Sequence, residues 1–290
     1  MRFWNFTSFN LNFSGGFSGG SSAGISSILW DINTYRLAGS LSVGTQDVSP
    51  TGLWFKPDGT KLFMVGINAD RLHSWDITTP WDITTATNAV SMTAPLRNNT
   101  GVNLTSPTSI SFSNDGTKAF VTDSVANALY RYSLSTAWDI STLNAVNADQ
   151  VNTTIYTSNL NPQSIWVRPD GLLYTTANSG ATSQYRTWTT TVANDITTLT
   201  AGDTTAGVST PVGAFWADNG SKFISVLQAT DIISVSTYTG AAYTFTGPTV
   251  LSSRLMTTQD TTPQDVYMTN DGIHFYYLGS SNDTIYQFSL

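Results

Sequence analysis

The chain has 290 residues, with 12 Lys and Arg against 19 acidic residues and a formal net charge of −7. It has no cluster of Lys and Arg, which argues against a nucleic-acid-binding surface, and its zero cysteines exclude disulfides. Only 11% of residues are charged and every acidic residue is Asp, so the Glu and Lys of helix surfaces give way to Thr, Val, Ile and aromatics that suit strands.

In chain order, residues 1–28 come first. Phe3, Trp4, Phe6, Phe9, Leu11, Phe13 and Phe17 crowd the first seventeen positions, and the run SGGFSGGSSAG, which includes Phe17, spans residues 14–24. The segment lacks the basic start and continuous apolar core of a secretory signal. No apolar run in the chain is long enough to span a bilayer. Residues 1–28 read as an aromatic arm on a Gly/Ser tether, and Phe3, Trp4, Phe6, Phe9 and Phe13 are its candidate docking residues. The plainer alternative is an arm that folds back over its own domain.

Residues 29–38, LWDINTYRLA, carry a Trp-Asp-Ile phrase and a strand with no hairpin before them. Five similar lines follow: PTGLWFKPDG from Pro50, PTSISFSNDG from Pro107, PQSIWVRPDG from Pro162, PVGAFWADNG from Pro211 and PQDVYMTNDG from Pro263. In each, Pro opens an apolar strand and Asp-Gly or Asn-Gly closes it, which predicts tight hairpins with positive φ at the central residues. A second strand follows each turn (KLFMVGI, KAFVTDS, LLYTTAN, KFISVLQ, HFYYLGS), then a polar loop and a third strand. The phrases TTPWDITT and STAWDIST lead into a fourth strand; the third copy keeps ANDITT, and the fourth has lost the phrase. The fifth copy reaches Leu290 after its third strand.

A four-stranded repeat of about 52 residues describes a propeller blade. The sequence therefore predicts an all-β, five-bladed β-propeller over residues 29–290, closed by a strand at residues 29–38 that completes the C-terminal blade. Closure in this way removes an exposed edge. The Asp-Gly hairpins and Trp-Asp-Ile loops should share one face of the ring, and the loops between second and third strands the other.

The repeated phrases SWDITTPWDITT and YSLSTAWDIST resemble repeats of tailed-phage virion proteins. The resemblance spans residues 29–290 and weakens in the last two blades. It implies a propeller in a virus particle, assembled in the host cytoplasm, and brings no catalytic residues with it. The tryptophan–aspartate repeat propellers match less well, because the copies lack a Gly-His pair.

Trp30, Trp81 and Trp138 recur at one repeat position. They could offer platforms for a sugar ring, or plug the space between blades while the following Asp makes a local turn; the second reading is the plainer. Asp70, Asp123, Asn178, Asp231 and Asp283 lie in the loops after the second strands and are candidate ligand-binding residues on one rim, although turns alone select such residues. Their spacing matches no calcium loop, and His73 and His274 are too few for a zinc site. Asp47 and Asp265 stand near two first strands and are the carboxylates a channel-mouth hydrolase would need. No nucleophile elbow or phosphate loop is present.

The expectation is a non-enzymatic virion structural protein without cofactor or metal. Residues 1–28 would join it to other virion proteins, and the propeller would serve host attachment or particle stabilisation without nucleic-acid contact or membrane insertion. A lectin-like propeller binding host glycans and a glycoside hydrolase are the alternatives.

Overall fold

The computed structural model describes residues 29–144, 148–153, 161–180 and 182–290. Strand β1 (Arg36–Ser42) is followed by blade 1: β2 (Pro50–Phe55), β3 (Lys61–Gly66), β4 (Arg71–Ile77) and β5 (Ala86–Ser91). Blade 2 holds β6 (Pro107–Phe112), β7 (Lys118–Asp123), β8 (Ala128–Ser133) and β9 (Gln150–Asn152). Blade 3 holds β10 (Pro162–Val167), β11 (Leu173–Asn178), β12 (Gln184–Thr189) and β13 (Thr200–Ala206). Blade 4 holds β14 (Pro211–Ala217), β15 (Lys222–Leu227), β16 (Ile232–Tyr238) and β17 (Pro248–Leu255). Blade 5 takes β18 (Pro263–Met268), β19 (His274–Gly279) and β20 (Thr284–Ser289), and its fourth strand is β1.

The ring is thus a five-bladed propeller of antiparallel four-stranded sheets, closed as the repeat predicts. The closing strand starts within residues 29–38, after the Trp-Asp-Ile phrase, and runs on past them to Ser42. Residues 29–35 form the Trp-Asp-Ile turn, and the pairing with β20 runs from Arg36–Ser289 to Ser42–Thr284.

First strands β2, β6, β10, β14 and β18 neighbour one another in a closed cycle around the axis. They are buried on both faces, since one side meets the axis and the other packs between blades. Each begins at its Pro, where a strand tolerates a missing N–H. In every blade the register then shifts between the Pro and the residue two further on. Thr51 and Thr108 next to two of these prolines donate their hydroxyls across the blade boundary, to the carbonyls of Pro107 and Pro162, each at 2.8 Å.

In blade 4 both Asn219 (φ 51°) and Gly220 (φ 84°) are left-handed, as expected, but the four Asp-Gly hairpins differ from the expected form. Gly59, Gly116, Gly171 and Gly272 are left-handed (φ 70–73°), but the Asp before each is not. Gly59 N–H donates to the Lys56 carbonyl at 2.8 Å, and the equivalent bond recurs at Gly116, Gly171 and Gly272. These are four-residue turns ending in a left-handed glycine, a common longer hairpin connection. Asp58, Asp115, Asp170 and Asp271 each accept the backbone N–H two residues on, at 2.9–3.0 Å.

That glycine explains the recurring tryptophan. A Cβ on Gly59 would sit 2.5 Å from the Trp81 ring, one on Gly116 2.3 Å from Trp138, and one on Gly272 2.9 Å from Trp30. Each tryptophan lies flat over the hairpin glycine of its own blade and is itself left-handed (φ 64–75°). In blade 3 Asn194 takes the place over Gly171, and in blade 4 Tyr243 takes it over Gly220. The following Asp31, Asp82, Asp139 and Asp195 accept a local backbone N–H at 2.9–3.1 Å. The apolar residue after that, Ile32, Ile83, Ile140, Ile196 or Phe245, is buried. Blade 4 therefore keeps the device with the words Tyr243 and Phe245, which the sequence reading passed over.

Candidate functional site

On the hairpin face the axis opens into a cavity of about 220 Å³, and nine of its sixteen lining residues are aromatic. Its floor comes from one repeat position, the fifth residue of the first strands. Trp54, Trp166, Phe215 and Tyr267 occupy that position in blades 1, 3, 4 and 5, and blade 2 has Ser111 there. Their rings meet across the axis: Phe215–Tyr267 centroids are 4.5 Å apart, Trp54–Tyr267 5.5 Å, Trp54–Phe215 6.0 Å and Trp166–Phe215 6.2 Å. Such tilted and edge-on arrangements suit the ring quadrupoles.

The glycine-covering aromatics of blades 1, 2 and 4 form the wall. Trp81 stacks on Tyr267 at 24°, Tyr243 stacks on Trp166 at 25°, and Trp138 packs against Phe112 with centroids 5.6 Å apart. Trp81 and Trp138 thus cover their hairpin glycines and also line the cavity, whereas Trp30 covers its glycine without lining the cavity.

The rim is polar and uncharged. Asn114, Asn219 and Asn270 stand on the hairpins of blades 2, 4 and 5, beside Pro57 and Pro169 on those of blades 1 and 3. Asn219 N–H donates to Asn270 Oδ1 at 3.1 Å, and Asp218 N–H to the Asn270 carbonyl at 3.2 Å, which clasps two blades together. The nearby cations are paired on their own hairpins: Lys56–Asp58 and Arg168–Asp170 at 2.7 Å, Lys222–Asp218 at 3.5 Å. No Asp, His, Lys or Arg is among the lining residues.

Below the floor the axis is filled. Residues two positions earlier are small in four blades (Gly52, Ser109, Ser164, Gly213), and the fifth is Asp265. A Cβ on Gly52 would come within 2.6 Å of the Ser109 Cα. The buried Asp265 carboxyl accepts from Leu53 N–H of blade 1 at 3.0 Å and from Val266 N–H at 2.9 Å, and meets the Ser109 hydroxyl of blade 2. Burial pushes its pKa up to about 8 against these hydrogen bonds.

Asp47 lies on the opposite face, and its carboxylate accepts three backbone N–H groups, from Ser49, Asn68 and Ala69, at 2.7–3.2 Å. The two hydrolase candidates are thus apart, both sequestered, and neither lines the cavity. His73 and His274 are also separate, each with Nδ1 on a serine hydroxyl, of Ser91 and Ser289.

The candidate rim residues occupy that opposite face. Asp123 is fully buried, where it accepts from Thr105, Ser106, Val125 and Ala126 N–H at 2.8–3.2 Å. Asn178 is fully buried and donates to Thr176 Oγ1. Asp70, Asp231 and Asp283 hold left-handed turn positions (φ 47–52°). Burial and the Asp123 and Asp47 charges hold the Asp70 carboxyl above its usual range, and burial with Asp47 and Asp260 does the same for Asp283. Among the described residues no three His or Asp come together as a metal set. Of the five candidates, Asp123 and Asn178 therefore face inward and shape loops, while Asp70, Asp231 and Asp283 stay part-exposed. Phe3, Trp4, Phe6, Phe9 and Phe13 lie outside the described residues.

The loop-capping carboxylate is delivered in two ways. Asp47 and Asp260 come from the loop ahead of the first strand and fill space left by Gly66 and Gly279, whose added Cβ would lie 2.3 and 2.2 Å from the carboxyl carbon. Blade 2 reverses the pair: Asp123 stands at the Gly66 position of the second strand, and Leu104 takes the place of Asp47.

No protein-family model and no curated protein matches this sequence. Among solved structures, the chain is similar to one in a nidogen/laminin complex, at 15% identity and a TM-score of 0.52, with 79% of this chain and 72% of that one covered. Hydrazine synthase of Kuenenia stuttgartiensis gives 11% identity and a TM-score of 0.51, covering 83% and 96%. A periplasmic gluconolactonase of Pseudomonas aeruginosa gives 15% and 0.45, covering 71% and 54%. The chain spans little more than half the length of the gluconolactonase structures it matches, 54–57%. At these identities the likeness is one of fold.

Proposed function

We propose that this protein is a non-enzymatic binding propeller of a tailed-phage particle, joined to other virion proteins through residues 1–28 and presenting its aromatic mouth to the host surface. One observation carries the non-enzymatic part. The cavity offers aromatic faces, amides and the hydroxyls of Ser113, Tyr243 and Tyr267, but no carboxylate, imidazole, thiol or amine to act as a base near neutral pH or to activate one of those hydroxyls. The virion assignment is supported by the resemblance of the Trp-Asp-Ile repeats. The role of the arm is supported by a ring whose closing strand begins only at Arg36.

The experiment has two readouts. Purified protein incubated with host surface polysaccharide should leave its chain length unchanged; release of new reducing ends would overturn the non-enzymatic reading. Deleting residues 1–24 should leave the melting temperature nearly unchanged and abolish incorporation into particles. Normal incorporation would remove the role of the arm.

A further inference from the structure

We propose that the aromatic mouth is a subsite for a single uncharged pyranose ring, an assignment that rests on the reading of this propeller as a binding module. Three features of the cavity point to that ligand.

The first is shape. At about 220 Å³ the cavity is smaller than the ~300–1,000 Å³ typical of small-molecule pockets. The layer of Gly52, Ser109 and Asp265 stops it from continuing down the axis. A ligand must enter end-on, and one ring fills the space.

The second is the division between floor and rim. Trp54, Trp166 and Tyr267 line the floor, and Trp81 and Tyr243, each held between its hairpin glycine and a floor ring, line the side, so the lining is apolar on more than one side. A pyranose presents C–H groups on its faces and hydroxyls around its edge, so its faces can lie on the aromatics while its edge meets amides. Each Asn amide both donates and accepts, as paired sugar hydroxyls require. The Asn219–Asn270 clasp leaves Asn114 as the amide whose side chain has no partner among the described residues. Asn114 is exposed on its hairpin, at the position that blades 1 and 3 fill with Pro57 and Pro169.

The third is charge. The mouth has no ionisable lining group other than the tyrosines, and the surrounding cations are paired with aspartates on their own hairpins. An anionic sugar would find no free cation, and an ammonium no carboxylate. Burying an unpaired charge there is costly, which selects a neutral ring.

The test is a titration of the full chain by tryptophan fluorescence, with methyl glycosides of neutral hexoses and N-acetylhexosamines as probes and methyl glucuronide as the anionic comparison. At least one neutral glycoside should give a saturable change, with the glucuronide weaker. Trp166→Ala should abolish it. Trp166 is buried and its loss could unfold the protein, so Asn114→Pro provides the second variant. It removes the amide while keeping the turn that Pro57 and Pro169 already make, and should weaken binding about 2- to 10-fold, the loss of one uncharged hydrogen bond. No response to any neutral glycoside overturns the subsite, as does an unchanged affinity in Asn114→Pro. A response only to a peptide of residues 1–17 also overturns it, in favour of the arm as occupant. Adsorption of the protein to host cells, measured in parallel, separates the two proposals. Cell binding with no sugar response sinks the subsite alone, whereas a sugar response without cell binding sinks the attachment reading alone.

Discussion

Substituting Gly116 by Ala tests the coupling between hairpin and tryptophan directly. A left-handed backbone costs a non-glycine residue about 1–2 kcal/mol. At Gly116 the new methyl would also lie 2.3 Å from the Trp138 ring, whereas carbon atoms pack best at about 3.5–4.0 Å. Forcing such an overlap adds about 1–3 kcal/mol, so Gly116→Ala should cost about 2–5 kcal/mol. Gly207 is the internal control. It is also left-handed, at φ 74°, but an added Cβ would meet nothing within 4 Å, so Gly207→Ala should show the backbone cost alone. Trp138→Ala loses packing against Phe63 and Phe112, and the half-exposed ring sets its cost below the ~3–5 kcal/mol of a fully buried tryptophan. The double variant should cost less than the sum of the singles by the relieved overlap, about 1–3 kcal/mol. Equilibrium urea unfolding of the parent and the four variants, followed by fluorescence and circular dichroism together, measures the cycle and its control. Strict additivity, or equal costs for Gly116→Ala and Gly207→Ala, would refute the account of the tryptophan as a cover for the glycine.

Two further outcomes follow from the ring. A chain starting at Gly44 lacks β1, exposes the β20 edge and loses buried Ile32 and Tyr35, so its thermal transition should collapse; a melt like that of the full chain would break the closure. Asp265→Asn should change the pH dependence of stability. Its folded pKa, about 8, lies above the unfolded value of about 3.9, so the folded state holds the proton longer and this residue's contribution to stability falls as pH rises between the two. The variant should therefore gain on the parent from pH 4 towards pH 8, and a constant difference in urea midpoints across that range would contradict it.

The ring was legible because its punctuation is local. A Pro opens each first strand and a glycine turn closes it, and both are fixed by backbone sterics that read directly from residue type. The closing strand runs past residue 38 because Gly39 marks a register shift within β1 and not its end. Tyr243 and Phe245 were missed for a different reason: what that loop requires is an aromatic over a glycine and an apolar residue two further on, and Trp with Asp is only its commonest spelling here. The floor of the mouth was overlooked although a signal existed. One first-strand position is aromatic in four copies, while the position two residues earlier is small in four, a contrast that sets a wide opening above a closed axis. Asp123 resembled a surface loop residue because its four N–H partners come from segments on both sides of its strand, and no local pattern links them.

The two ways of delivering that carboxylate restrict how blades can recombine. A crossover within a first strand or its hairpin that joined an Asp47-type loop to an Asp123-type second strand would bring two carboxylates to one small space. The reverse crossover, a Leu104-type loop before a Gly66-type strand, would leave several loop N–H groups uncapped. Shuffling of these repeats is therefore tolerable only where the loop before the first strand and the end of the second travel together. Any duplication history or engineered lengthening of such a ring should have its joints elsewhere, in the third and fourth strands.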